Sequence, residues 1–283
     1  MTRDEMLSIP TEDLARIAKV GIRVLPNLEA LYQDFARTIA DEIKAHNAAG
    51  EPTRIILPVG PTPHYRILAR ISNQEKISWK NVWTFNMDEY LDWQGRPVPV
   101  DHPMSFEGYM RANLFQLLDP SLAIPPDHIW FPHPFRIDEI SEVIAKVGGV
   151  DTCYGGIGYH GHIAFNEPPI SRWYAISPQE FKASKTRVLP LADDTFVVNS
   201  FCGAGGDSAA IPPMAVTLGM KDILSAKRIR LYCDGGDWQR TVLRLALMHP
   251  PCVEYPVTFC QEHADCVITA DAYTAAPAAT APK

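Results

Sequence analysis

Apolar residues recur along this chain with two alternating periods, and the alternation predicts a layered α/β fold. Thr11 is placed to cap a helix over TEDLARIAKVG (11–21), and Leu28, Leu31, Phe35, Ile39 and Ile43 recur at helical spacing through 28–50. RIILPVG (54–60) then reads as a buried strand, and the helix beginning near Pro63 carries Tyr65, Ile67, Leu68 and Ile71. A strand VWTFN (82–86) ends in MDEY; SFEGYMRANLFQLLD (105–119) is amphipathic through Phe106, Met110, Leu114 and Leu117. HIWF (128–131) is a short strand, IDEISEVIAKVGG (137–149) a helix closed by glycine, and VDTCY (150–154) a further buried strand.

The second half continues the alternation more loosely. TRVLPLA (186–192), AVTLGM (215–220), RIRLYCD (228–234) and CVITA (266–270) read as strands, and DDTFVVNSF, KDILSA and DWQRTVLRLALMHP as helices. Strands separated by helices imply crossover connections, hence a mainly parallel sheet covered by helices on both faces. Residues 1–273 then form one α/β domain, with 1–49 as a helical N-terminal extension. The tail TAAPAATAPK (274–283) has no periodicity and is expected to be disordered.

In such sheets ligands bind beyond the carboxyl ends of the strands, which places the turn GPTP, the segment MDEY and the glycine-rich turn GGIGYHGHIAFNEP (155–168) on one rim. That last turn delivers His160, His162 and Glu167 within eight residues. Gly155, Gly156, Gly158 and Gly161 let the backbone there come close to a ligand. Asp88 and Glu89 follow a strand directly, so one carboxylate faces the rim while the other turns toward the protein. A carboxylate held in such a crevice is a candidate general base, and a pairing of Glu167 with His162 would fix the imidazole tautomer for acid–base work. His160, His162 and Glu167 are also compatible with a metal site, but the further ligand would have to come from Asp88 or His102, so no metal is expected. Gly60 and Thr62 in GPTP are candidates to cradle an anion, although Pro61 removes one backbone donor.

Composition narrows the partners. The net charge of −7 argues against nucleic acid, whose phosphates need a positive field, and 46% hydrophobic with 21% charged residues is the balance of a globular protein. No apolar run approaches the roughly 20 residues a membrane span requires, and MTRDEMLSIP lacks the continuous apolar segment of a secretory signal. A cytoplasmic location follows as the expectation. Six cysteines without CxxC pairing read as reduced thiols.

The motifs TFNMDEY, DHPMSFEGYM, GGIGYHGHIAFNEP, SKTR, DDT..VNS and MAVTLGM fall in the order found in the glucosamine-6-phosphate deaminases, and over roughly residues 50 to 273 the chain resembles that family. The resemblance implies a Rossmann-like three-layer α/β sandwich. It also implies conversion of an amino sugar phosphate to a ketose phosphate and ammonia, without metal or organic cofactor. It assigns Asp88 as the base that moves a proton between C2 and C1, His162 as the histidine that opens the sugar ring, and Glu167 as its partner carboxylate. His160 stands where the family has an aspartate that orients that histidine, a role that would pass to Glu167.

The family's phosphate contacts are replaced as well. Phe201 takes the place of an arginine, Trp238 that of a lysine, and the GPTP loop lacks a hydroxyl and a donor. Gly60, Thr62, Glu89, Gly161, Phe201 and Trp238 are therefore the candidate substrate-binding residues, for a small sugar or sugar phosphate. Aromatic faces at 201 and 238 suit an uncharged sugar. Arg187 matches an allosteric phosphate position of bacterial members, but a lone arginine after a turn is expected to be solvated. ISRWYAISPQEF (170–181) is a candidate lid. The sequence leaves two readings open, an amino-sugar deaminase or aldose–ketose isomerase with an altered pocket, and a non-catalytic sugar-binding protein on the same fold. A homo-oligomer is compatible with either.

Overall fold

The computed structural model describes residues 1–168 and 175–278. In chain order its elements are α1 (Arg3–Ser8), α2 (Leu14–Ile17), β1 (Gly21–Leu25), α3 (Leu28–Ala49), β2 (Thr53–Leu57), α4 (His64–Gln74), β3 (Val82–Asn86), β4 (Asp88–Leu91), α5 (Phe106–Asn113) and β5 (Ile129–Trp130). There follow α6 (Glu139–Lys146), β6 (Thr152–Gly156), α7 (Pro178–Lys182), β7 (Arg187–Pro190), α8 (Asp193–Gly203), β8 (Met214–Thr217), α9 (Met220–Leu224), β9 (Arg228–Cys233), α10 (Arg240–Met248) and β10 (Cys266–Asp271).

Seven strands form one sheet in the order β1-β10-β9-β6-β2-β3-β5, with every pairing parallel. Successive side chains on β2 serve opposite faces. Ile56 packs with Phe85, Cys153, Ile229 and the α10 residues Leu243 and Leu247, while Ile55 and Leu57 pack with Phe35, Ile39, Tyr65 and Leu68 of α3 and α4. Burial of each such side chain contributes about 1.5–3 kcal/mol, which accounts for a sheet covered on both sides. The helix α3 starts where the Asn27 side chain accepts from the Ala30 N–H (2.9 Å) and stops at Gly50, whose φ of 71° is left-handed.

Four features depart from the sequence reading. Residues 21–25 are not helical: β1 is an edge strand of the main sheet, paired with β10 from Gly21 to Leu25, so residues 1–49 hold a strand as well as helices. β6 runs two residues further than VDTCY, because Gly155 and Gly156 pair with Leu231 and Tyr232 of β9 instead of turning. β7 and β8 do not join the parallel sheet; with β4 they make a separate antiparallel sheet in the order β4-β8-β7. Finally, residues 274–278 are ordered. The Arg244 guanidinium and the Thr11 hydroxyl both donate to the Ala275 carbonyl (3.0 and 2.9 Å), and the Ala278 N–H donates to Leu7 O (3.1 Å). Among the described residues no helix is long and apolar enough to cross a membrane.

Candidate active site

The chain leaves the main sheet at Met87, whose N–H donates to Leu57 O (3.0 Å) and whose carbonyl accepts from Leu218 N–H (2.7 Å). One residue later it enters the antiparallel sheet, and Asp88 and Glu89 then point to opposite sides of β4. Asp88 lines a cleft of about 540 Å³ beyond the carboxyl ends of the parallel strands. Burial, reinforced by the neighbouring Glu89 charge, pushes its pKa well above the usual carboxylate range. Glu89 turns away from the cleft and does not line it. Its carboxylate accepts from the N–H groups of Tyr90, Phe106 and Glu107 (2.8, 2.9 and 2.8 Å) and from the Ser105 hydroxyl (3.0 Å), which ties β4 to the N-terminus of α5.

His162 also lines the cleft, with its side chain almost wholly buried. Burial first, then the neighbouring His160, lowers its pKa to about 3, so its imidazole is neutral near pH 7. Two glycines shape the turn around it. Gly161 turns through φ +75°, and a Cβ on Gly158 would lie 1.8 Å from His162 Nε2.

His160 lies behind His162, with ring centroids 5.9 Å apart. Its Nε2 is hydrogen-bonded to the carboxylate of Asp194, in the first turn of α8. Glu167 does not hydrogen-bond His162. Its Oε2 accepts from the Ala192 N–H (2.8 Å), while Oε1 and His162 Nδ1 are both buried with no partner. Burial raises the Glu167 pKa. The carboxylate in contact with the histidine pair is therefore Asp194, reached through His160, because the turn places Glu167 against the loop before α8.

The remaining cleft wall is aromatic and polar. Tyr90, Phe106 and Phe165 form one side, with Tyr90 4.7 and 5.5 Å from the other two ring centroids, and Asn199 donates to the Tyr90 hydroxyl (2.9 Å). Gly60, Thr62 and Trp238 line the cleft as the sequence suggests. Gly161 shapes the turn without reaching the lining. Phe201 is not in the wall either; it is 74% exposed, because one turn of α8 aims Asn199, Cys202 and Gly203 at the cleft and Phe201 at solvent. Arg187 is only partly exposed and donates to Asn166 Oδ1 (2.8 Å), so it is not the free surface cation expected.

No lysine or arginine lines the cleft among the described residues. Nor, among them, do three His, Cys, Asp or Glu side chains gather as a metal would require; the His102 Nδ1 accepts from the Met104 N–H (3.1 Å). Trp173 and Tyr174, and with them much of the candidate lid, lie outside the described residues. Asp194, Asp234 and Gln239 were not singled out from the sequence, although Asp234 directly follows a strand that ends on the binding rim.

No family model matches the chain. It is 34% identical over 223 residues to the glucosamine-6-phosphate deaminase of Phocaeicola vulgatus, covering 76% of this chain and 77% of that one. To the enzyme of the same name from Caenorhabditis elegans it is 33% identical over 217 residues, 74% of each chain. The chain belongs to the glucosamine-6-phosphate deaminase family. Its structure superposes on a monomeric glucosamine-6-phosphate deaminase of the NagB superfamily with a TM-score of 0.76 and 28% identity, covering 90% of this chain and 99% of that one. A 6-phosphogluconolactonase from Trypanosoma cruzi shares the fold, with a TM-score of 0.66, 19% identity, and 90% and 96% of the two chains covered. The fold is thus that of a family of sugar enzymes, and the Rossmann-like sandwich expected from the motifs is the one observed.

Proposed function

We propose that this protein is an amino-sugar deaminase and aldose–ketose isomerase that keeps the proton-transfer centre of its family and has exchanged the phosphate pocket for one that takes an unphosphorylated sugar. The observation that carries this reading is the cleft itself, which holds Asp88 and the neutral His162 but no cationic side chain among the described residues. A sugar phosphate is a dianion, and each charged hydrogen bond it lacks weakens binding by about 1.5–3 kcal/mol.

In this mechanism His162 exchanges protons with the ring oxygen and the C1 hydroxyl, opening the sugar. His160, bonded to Asp194, stands beside it in the place of the family's aspartate. Asp88, ionised, takes the C2 proton and returns it to C1; water then adds at C2, the C2–N bond breaks, and ketose and ammonia leave. The raised Asp88 pKa suits a group that must both accept and return a proton.

The test is ammonia and ketose release from purified protein with glucosamine, glucosamine 6-phosphate and a panel of other amino sugars and aldoses, beside Asp88→Asn. Turnover of an unphosphorylated sugar that disappears in Asp88→Asn is the expected result. Preferred turnover of glucosamine 6-phosphate refutes the exchanged pocket, and binding without turnover across the panel refutes the enzyme in favour of a sugar-binding protein.

A further inference from the structure

Asp234, the residue after β9, stands in the cleft wall on the same rim as Asp88. Between β9 and β3, the strand that leads into Asp88, lie β6 and β2, so strand spacing sets the ends of those two strands about 14 Å apart along the rim. Asp88 and Asp234 line the same cleft, so a sugar with its C1–C2 bond at Asp88 can present its other end to the Asp234 side. The carboxylate there is held: the Tyr32 hydroxyl, from α3, donates to Oδ2 (2.8 Å). Trp238 lines the cleft four residues on, its indole lying so close over Gly235 that a Cβ there would be 2.4 Å from the ring. The turn itself is braced by Gln239, which donates to Ile157 O (2.6 Å) and accepts from Gly235 N–H (2.7 Å). A positioned carboxylate beside an aromatic face has the chemistry to bind a hydrogen-bond donor carried on apolar C–H surface.

We propose that Asp234 and Trp238 form the subsite for the end of the sugar remote from C1 and C2, that they take a free hydroxyl or ammonium group there, and that Asp234 is the residue that rejects a phosphorylated end. This rests on the reading of the cleft as a sugar site. A phosphate within about 5 Å of this carboxylate meets a like charge with no cation in the described wall to offset it, a discrimination of about 10²-fold.

The experiment is calorimetric titration of the intact protein with glucosamine, its 6-amino-6-deoxy analogue and glucosamine 6-phosphate, for wild type, Asp234→Asn and Tyr32→Phe. Wild type is expected to bind glucosamine at least about tenfold more tightly than its 6-phosphate, and Asp234→Asn to shift that ratio by about 10²-fold toward the phosphate. Tyr32→Phe removes the hydrogen bond but keeps the charge, and is expected to go on rejecting phosphate. Tighter binding of the 6-amino analogue identifies ammonium as the preferred donor and equal binding identifies hydroxyl; either supports the subsite. An unchanged ratio in Asp234→Asn at an unchanged melting temperature overturns the proposal, as does loss of phosphate rejection in Tyr32→Phe. The readout is binding, so its failure is distinct from failure of the isomerase reading, which turnover in Asp88→Asn decides.

Discussion

Gly158→Ala should disable the cleft while leaving the fold intact. A Cβ at 158 would stand 1.8 Å from His162 Nε2, and ordinary contact begins at 3.4 Å, so the imidazole must retreat by about 1.6 Å. Gly158 has no left-handed φ, so alanine meets no backbone penalty and the collision with the ring is the whole perturbation. A misplacement of about 1 Å in a catalytic group costs about 10²-fold in rate, and kcat should fall by at least that much. Steady-state kinetics with the best substrate of the sugar panel measures the loss. Proton NMR of the His162 ring supplies an independent reading, because the wild-type imidazole, with its pKa lowered to about 3, stays neutral through the physiological range. A ring displaced toward solvent should titrate closer to about 6.5. Native kcat in Gly158→Ala with the His162 ring displaced, titrating close to about 6.5, would refute the assignment of His162 to the reaction.

Further outcomes follow from the same geometry. Asp88 must be ionised to act as a base, so kcat/KM should fall with decreasing pH through an apparent pKa above the ordinary carboxylate range, a limb absent from Asp88→Asn. Because the folded pKa of Asp88 is raised, its contribution to stability is lost as pH rises through that value; Asp88→Asn should therefore melt higher than wild type at pH 8, by scanning calorimetry. Glu89→Ala removes the acceptor for three donors at the start of α5 and for the Tyr90 N–H, and should cost about 3 kcal/mol in urea unfolding, whereas Phe201→Ala, at an exposed position, should change neither stability nor KM. Asp194→Ala should lower kcat with little change in KM if His160 orients His162 through that carboxylate, and equal losses in both would assign Asp194 to binding.

Much of this was legible in the chain because it is local. The stripe Leu31, Phe35, Ile39 and Ile43 repeats at a helical period, and Ile55, Ile56 and Leu57 form a run that only a strand covered on both faces can bury. The rim followed from the rule that ligands sit past the strand ends, and with it Asp88 and His162. The edge strand β1 was not legible: one of its five residues is arginine, which pairs with Asp34 (3.1 Å), and its half-exposed pattern carries no alternation.

What tertiary structure alone decided is which way side chains face and what meets them from distant segments. Nothing near residue 160 in sequence announces Asp194, 34 residues away, and nothing near residue 234 announces Tyr32. Glu167 and Phe201 lie within motifs, yet one turn of backbone aims the first at Ala192 N–H and the second at solvent. A motif specifies residue types along a chain. The charge in a cleft depends on which of them the packed helices and sheets turn inward, and here that leaves aspartates and aromatic rings in its described wall.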